Sequence, residues 1–176
     1  MKSGAPVSLD HLRSVLSNVS FEGVPSVYLI LEKPAPGVHQ VVDAATVRAG
    51  WGLENDHPRK DFFRGERVLG RQVSAISREF CAAAGIDCTT IGDNLVTSGI
   101  DLRTLRPGDR LLMGSAVLVR SQPRHRPCTL FRERTSAAIY QVAFDDDWRG
   151  ALFDVVTGGT IRVGSEIARV LPDSEE

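Results

Sequence analysis

Short apolar segments separated by glycine turns are the feature that most constrains the fold of this chain. Near the C-terminus, turns at residues 157–159 and 164–165 separate strand-like segments at 152–156, 160–163 and 166–170. Close spacing of short strands is typical of a β-barrel. Helical patterns do not alternate regularly with these strands, which argues against a doubly wound parallel sheet. We therefore predict an α+β fold that is predominantly β, a mixed β-barrel of short strands with a few peripheral helices.

The other predicted elements follow from hydrophobic spacing and turn residues. Ser8 is expected to cap a helix over residues 8–17, and Ser77 is expected to cap a helix that stops at Gly85. Residues 135–144 have the pattern of a third helix. The remaining predicted strands cover residues 26–31, 38–42, 72–76, 92–96, 110–113 and 116–120.

The length and composition suit one domain in a reducing compartment. We predict an N-terminal extension over residues 1–25, one barrel domain over 26–171 and a frayed tail over 172–176. No apolar run approaches the roughly 18 residues that span a membrane, and no secretory signal is expected. Three cysteines, an odd number, do not suggest a disulfide framework. The cytoplasm is the expected location.

Charge is balanced overall but concentrated locally. The net charge of −1 excludes a general nucleic-acid binder. Arginine occurs 18 times and lysine three times, an imbalance that composition bias can explain. A local cluster is harder to assign to composition, because only Glu133 opposes its five arginines: Arg120, Arg124, Arg126, Arg132 and Arg134. Since guanidinium groups bind oxyanions with two hydrogen bonds, the cluster predicts a pocket for a phosphorylated or otherwise anionic ligand.

Cys128 is the candidate reactive residue. It follows a predicted strand and closes the basic segment Gln122-Pro123-Arg124-His125-Arg126-Pro127. Nearby positive charge favours the thiolate, which attacks, binds metal or carries sulfane sulfur. The alternative is an inert, buried cysteine, which is the commoner use of this residue. Cys81 and Cys88 lack zinc-site spacing, and we expect Cys81 on the buried face of a short helix.

Several segments in chain order resemble the MOSC domain, the family named for the C-terminal domain of molybdenum-cofactor sulfurases. Gly92-Asp93-Asn94-Leu95 resembles the family's glycine-acid-asparagine-leucine motif, with aspartate in place of the common glutamate. Asn55 stands where a glycine is usual. Cys128 falls where the family keeps its cysteine. The resemblance extends from about Ser26 to Val170, and it is carried by residues 50–57, 70–74, 92–95, 105–111, 122–128, 149–151 and 159–165.

The resemblance implies a MOSC-type barrel, like that of pyruvate kinase, which binds the molybdenum cofactor. Cys128 would be the metal ligand, because a thiolate suits a metal already held by soft ligands. Asp56 and His57 would supply protons, although Asp56-His57-Pro58 is also a plausible turn. The expected cofactor-binding residues are Arg71, Asn94, Arg124, His125 and Arg126, and Asn94 has the alternative role of satisfying a turn.

Three functions stay open at this stage. The first is a molybdenum-cofactor oxidoreductase that reduces N-hydroxylated or other N-oxygenated small molecules with electrons from an external donor protein. The second is a sulfur-transfer protein that carries a persulfide on Cys128. The third is a non-catalytic binding barrel for a phosphorylated ligand, in which Cys128 is buried. The sequence predicts no membrane or nucleic-acid partner and leaves the oligomeric state open.

Overall fold

The computed structural model describes residues 7–57, 62–63, 66–67 and 69–171. The predicted tail at 172–176 and most of the charged loop after Asp56-His57 lie outside these residues. The helices are α1 (Leu9–Ser17), α2 (Arg78–Ala84), α3 (Thr129–Arg134) and α4 (Ala137–Asp145), with a 3₁₀ turn at Leu102–Thr104. None of the helices in the described part of the chain is long and apolar enough to cross a membrane.

Thirteen strands are described. They are β1 (Ser26–Glu32), β2 (Gln40–Val42), β3 (Ala44–Arg48), β4 (Gly52–Leu53), β5 (Phe62–Phe63), β6 (Glu66–Arg67), β7 (Val73–Ser77), β8 (Leu95–Ser98), β9 (Arg110–Met113), β10 (Ala116–Arg120), β11 (Ala151–Thr157), β12 (Gly159–Arg162) and β13 (Ile167–Val170). Eight of them form one sheet in the order β13-β9-β10-β11-β7-β8-β1-β2. Its only parallel pair among the described strands is β7–β8, which α2 connects.

The large sheet curls until its far strands meet. Ser26 at the start of β1 forms an isolated antiparallel bridge with Glu166, just before β13. The amide of Val27 donates to the carbonyl of Ser165 at 2.9 Å, and the amide of Ile167 donates to the carbonyl of Pro25 at 2.7 Å. A smaller sheet of three strands, β12-β3-β4, packs side chains into the same apolar core as the large sheet. The predicted fold class, a predominantly β mixed barrel with a few peripheral helices, is confirmed.

Apolar side chains form two clusters, one inside the curled sheet and one beneath the helices. The first contains fully buried Ile30, Leu95 and Phe153 from three neighbouring regions of the large sheet. The second joins Leu12 and Leu16 of α1 to residues of α2 and α4. Burial of these two leucines means that α1 packs against the domain rather than extending from it.

Most local predictions agree with the structure, and one helix start does not. Ser8 and Ser77 cap α1 and α2 as predicted, and Gly85 ends α2 in the left-handed region with φ 67°. The helix predicted over 135–144 is wrong at its start. Thr135 has non-helical φ −122° and ψ −111°, and Ser136 caps the new helix α4. Helix α3, before this break, and the short strands β3 and β4 are not predicted by the sequence pattern.

Candidate functional site

Cys128 lies at the end of the loop that leaves β10, immediately before α3. Its side chain is exposed, and it makes no capping hydrogen bond although it occupies the N-cap position. Only its backbone is engaged in the helix, where its carbonyl accepts from the amide of Arg132 at 3.1 Å. The alternative of a buried Cys128 is therefore wrong. The thiol can be approached from solvent.

The arginines around Cys128 have distinct partners. Arg120 turns back onto the backbone, with Nη1 donating to the carbonyls of Ser121 at 2.6 Å and Pro123 at 3.0 Å. Arg124 forms an ion pair with Asp147, from the acidic segment that follows α4. Arg126 lies over the ring of Phe144, 5.1 Å from its centroid. Part of the predicted positive charge is therefore neutralised or used to hold the loop.

His125 of the same loop is tied to the motif that contains Asn94. Its Nε2 lies 2.9 Å from Oδ1 of Asp93, and Oδ2 of Asp93 accepts from Nη1 of Arg149 at 2.6 Å. Asp93 is completely buried, and Arg149 is 5% exposed. Although burial alone would raise it, the pKa of Asp93 is held below its usual range by the charge of Arg149 and by His125. The aspartate is therefore an anion shared by two residues.

This environment keeps the His125 ring neutral. Burial, together with the positive charge of Arg149, lowers the pKa of His125 to about 4 despite its contact with Asp93. A neutral imidazole donates through one nitrogen and accepts through the other. Because a carboxylate can only accept, Nε2 carries the hydrogen, and Nδ1 is left as an acceptor.

Asn94 is the centre of a second buried network. Its Nδ2 donates to Oδ2 of Asp56 at 2.8 Å and to the carbonyl of Leu31 at 3.3 Å. Its Oδ1 accepts from the amide of Ser74 at 3.2 Å. The orientation of the amide follows from these neighbours, since the Asp56 carboxylate and the Leu31 carbonyl are acceptors. Asn94 therefore connects β7, β1 and the segment that carries Asp56.

Lys33 is the residue of this network that sequence reasoning missed. Its amide donates to Oδ1 of Asp56 at 2.7 Å, and its ammonium donates to the carbonyl of Gly92 at 3.0 Å. The ammonium also lies 3.9 Å from Oδ2 of Asp56, and both side chains are almost fully buried. A lysine directly after an apolar strand, in a chain with three lysines, was the available indication.

The structure brings some of the predicted site residues together. Asp56 and Asn94 share a hydrogen bond, and Asp93, which holds His125, precedes Asn94 in the chain. The amide of His57 donates to the carbonyl of Lys33 at 2.8 Å. Arg71 is exposed at the entry to β7. Its loop reaches the basic segment, because a Cβ added to Gly70 would lie 2.9 Å from Cγ of Pro123.

A small cleft and two orphaned polar atoms lie at the head of the basic loop. The cleft has a volume of about 130 Å³, and the polar residues of its lining are Arg103, Arg120, Arg124, His125 and Asp147, the last of which is paired with Arg124. Nε of Arg120 and Oγ of Ser121 are buried without a hydrogen-bond partner in the described part of the chain. Since a drug-sized ligand fills roughly 300 Å³ or more, the cleft suits only a phosphate-sized portion of a larger ligand.

The chemical groups of these residues are of the kinds that a molybdenum–pterin group requires. An accessible thiol can ligate the metal, the guanidinium groups of Arg120 and Arg124 that line the cleft can bind oxygen atoms of the ligand, and the Nδ1 acceptor of His125 can receive an N–H of a pterin. Among the described residues, no three His, Cys, Asp or Glu side chains form a metal-binding group of their own.

A family model supports the assignment that the fold and the motifs indicate. The MOSC domain model matches residues 68–168, which is more than half of the chain. The chain therefore belongs to the MOSC domain family, as the sequence motifs predicted. The comparison with curated proteins finds no match.

Solved structures agree with the fold. YiiM from Escherichia coli is 21% identical with a TM-score of 0.61, covering 85% of this chain and 71% of that one. The YuaD protein from Bacillus subtilis is 20% identical with a TM-score of 0.62, covering 84% of this chain and 97% of that one. YiiM from Geobacillus stearothermophilus is 17% identical with a TM-score of 0.60, covering 84% and 75%. Because the sequence identities are this low, the comparison shows a shared fold only.

Proposed function

We propose that this MOSC-domain protein binds the molybdenum cofactor through Cys128 and reduces N-hydroxylated or other N-oxygenated small molecules. The observation that carries the proposal is the exposed thiol of Cys128, at the end of a loop anchored to the Asp93–Asn94 motif through His125. When bound, the cofactor would supply a metal centre that takes an oxygen atom from the substrate, using electrons from an external donor protein.

The surrounding residues have separable roles in this proposal. Cys128 ligates the metal as a thiolate, and metal coordination keeps it deprotonated. Arg126 and Arg71, both exposed, bind anionic groups of the cofactor. Arg124 shares this role, with Asp147 limiting its charge. His125 accepts a hydrogen bond from a pterin N–H, because its ring is neutral and Nε2 is held by Asp93.

Asp56 and Asn94 are buried next to the site and have a structural role in it. Both oxygens of Asp56 accept hydrogen bonds, and the ammonium of Lys33 lies nearby, so the carboxylate is engaged by three neighbouring groups. This favours a positioning role for Asp56, which orients Asn94, over direct proton donation. His57, half-buried beside Asp56, is then the proposed proton donor to the departing oxygen. The expected compartment is the reducing cytoplasm, where all three cysteines would stay free.

The test is metal analysis of protein produced in a host that makes the cofactor. We expect near-stoichiometric molybdenum in the wild type and in Cys88→Ser, and loss of molybdenum in Cys128→Ser. Cys88→Ser is the matched control, because Cys88 lies outside the basic loop. Absence of molybdenum from folded wild-type protein would contradict the proposal.

The same exposed thiol also suits sulfur transfer, which is the second candidate function. Here Cys128 would carry a persulfide on its exposed sulfur. The two functions differ in what is found on Cys128. Cyanide-labile sulfur on folded, metal-free protein, lost in Cys128→Ser, would support sulfur transfer over the reductase.

A further inference from the structure

The two other cysteines lie on either side of a helix end that folds back on itself. Helix α2 contains Cys81 and ends at Gly85, whose φ of 67° reverses the chain. The amide of Ile86 donates to the carbonyl of Cys81 at 2.8 Å, which closes the reversal. A turn then holds Asp87 and Thr90 together, with an amide-to-carbonyl distance of 3.1 Å. This path returns Cys88 to the helix face that carries Cys81.

The two thiols meet in the apolar cluster beneath the helices. Cys81 is buried in that cluster, and Cys88 packs against it at the half-buried edge. A hydrogen bond between the two thiols, together with burial, raises the pKa of Cys81. The same hydrogen bond lowers the pKa of Cys88, although the partial burial of Cys88 acts in the opposite direction. No disulfide joins the two cysteines in this structure. Cys88, the more accessible of the two thiols, is thus also the more easily ionised, and the Cys81 thiol lies next to it.

We propose that Cys81 and Cys88 form a peroxide-sensitive modification site that closes to an intramolecular disulfide. The Cys88 thiolate attacks one oxygen of hydrogen peroxide, forming a sulfenic acid as the O–O bond breaks and hydroxide leaves. The sulfur of Cys81 then attacks the sulfur of Cys88, forming the S–S bond and releasing the sulfenic oxygen as water once the Cys81 proton is transferred. In total, two thiols and one peroxide yield one disulfide and two waters.

The pair lies close to the Asp93 network without belonging to it. The negative charge of Asp93 acts to raise the pKa of both thiols, although the net pKa of Cys88 remains lowered. The positive charge of Arg149 acts to lower the pKa of Cys81. Oxidation would tie the turn after α2 to the helix, just ahead of the segment that carries Asp93 and Asn94. The modification is independent of the proposed cofactor function, because it uses neither Cys128 nor its loop.

Peptide mapping can test the site on the full, unmodified chain. Arg78 and Arg103 flank both cysteines with no lysine or arginine between them, so trypsin places Cys81 and Cys88 on peptide 79–103. Cys128 falls on a different peptide. After peroxide treatment of folded protein and alkylation, we expect peptide 79–103 to carry no alkyl group and to weigh two hydrogen atoms less than the reduced, unalkylated peptide. Dithiothreitol should restore both alkylation sites.

A single substitution identifies the attacking residue. In Cys81→Ser the disulfide cannot form, and we expect dimedone to trap a sulfenic acid on Cys88. Three results would overturn the proposal: peptide 79–103 that stays fully alkylated, oxygen added to Cys88 without a disulfide in the wild type, or a disulfide that links Cys128 instead. All three are measured on protein whose fold is checked by circular dichroism.

Discussion

At the scale of single residues, the site depends on buried charges that satisfy one another. Asp93 is fully buried between His125 and Arg149, while Asp56 is buried between Asn94 and Lys33. Isolated buried charges are costly, and removal of one partner from a buried pair typically costs about 3 to 5 kcal/mol. Substitutions in these networks therefore affect stability as well as any bound ligand.

Asn94→Asp should destabilise the fold more than Asn94→Ala. The new carboxylate would face Oδ2 of Asp56, which accepts from Nδ2 of Asn94 at 2.8 Å, in a buried setting. Loss of the amide alone should cost about 1 to 3 kcal/mol, and the added repulsion about 2 kcal/mol more. Urea unfolding of both variants at neutral pH measures the difference, and equal losses would contradict the contact.

His125 should make stability depend on pH between about 4 and 6.5. Its folded pKa is lowered to about 4 from an ordinary 6.5, so in this window the unfolded chain binds more protons than the native one. Stability is fully present above pH 6.5 and is lost as pH falls, by at most about 3 kcal/mol. His125→Gln, whose amide can still donate to Asp93, should lose less over this window in urea titrations. Identical pH profiles would show that His125 is not held neutral.

At the scale of elements, side-chain caps begin the helices α1, α2 and α4, and close backbone contacts fix the strand ends. Ser77 and Ser136 accept hydrogen bonds from the amides of Phe80 and Ile139, both at 3.2 Å. Gly150 has φ 102°, and a Cβ there would lie 2.0 Å from the carbonyl oxygen of Ala75 in the neighbouring strand. The cap at Ser77 was predictable because its pattern is local. The contact at Gly150 was not, because its partner is distant in sequence.

Gly150→Ala should therefore cost much more stability than Gly108→Ala. Both glycines have positive φ, 102° and 95°, but a Cβ at Gly108 meets no atom within 4 Å. The matched control should lose about 1 kcal/mol from backbone strain alone. Gly150→Ala must also displace the β7 backbone, and we expect an additional loss of about 2 kcal/mol or more. Chemical denaturation of the two variants, each compared with the wild type, measures this. Similar losses would argue against the close approach of β11 to β7.

At the scale of the whole molecule, the barrel needs strands outside the region that the family model matches. Strand β1 lies between β8 and β2 in the large sheet and places Val27 and Ile30 in the central core. It also meets the residues before β13 through Ser26 and Glu166. The matched region, residues 68–168, thus lacks β1, a strand that the barrel needs to close.

A fragment of residues 68–168 should fail to fold by itself. Without β1, the edge of β8 is unpaired and the side of the core that β1 covers is open to water. We expect hydrogen exchange to show little protection in the fragment, while strong protection covers β7, β8 and β11 in the full chain. Addition of a peptide spanning β1 and β2 is the matched control, since it restores the missing partner. Native-like protection in the fragment alone would contradict this role of β1.

The sequence by itself determined the family and much of the local structure, although not α3, β3 or β4. The caps of α1 and α2, the β9–β10 hairpin and the ordered MOSC motifs all depend on residues close together in the chain. The tertiary structure alone decided which side chains meet. Asp93 reaches Arg149 across 56 positions and Asn94 reaches Asp56 across 38, and Lys33 enters the same network from β1. No periodicity records such contacts, because curling of the sheet, and not spacing along the chain, brings these residues together.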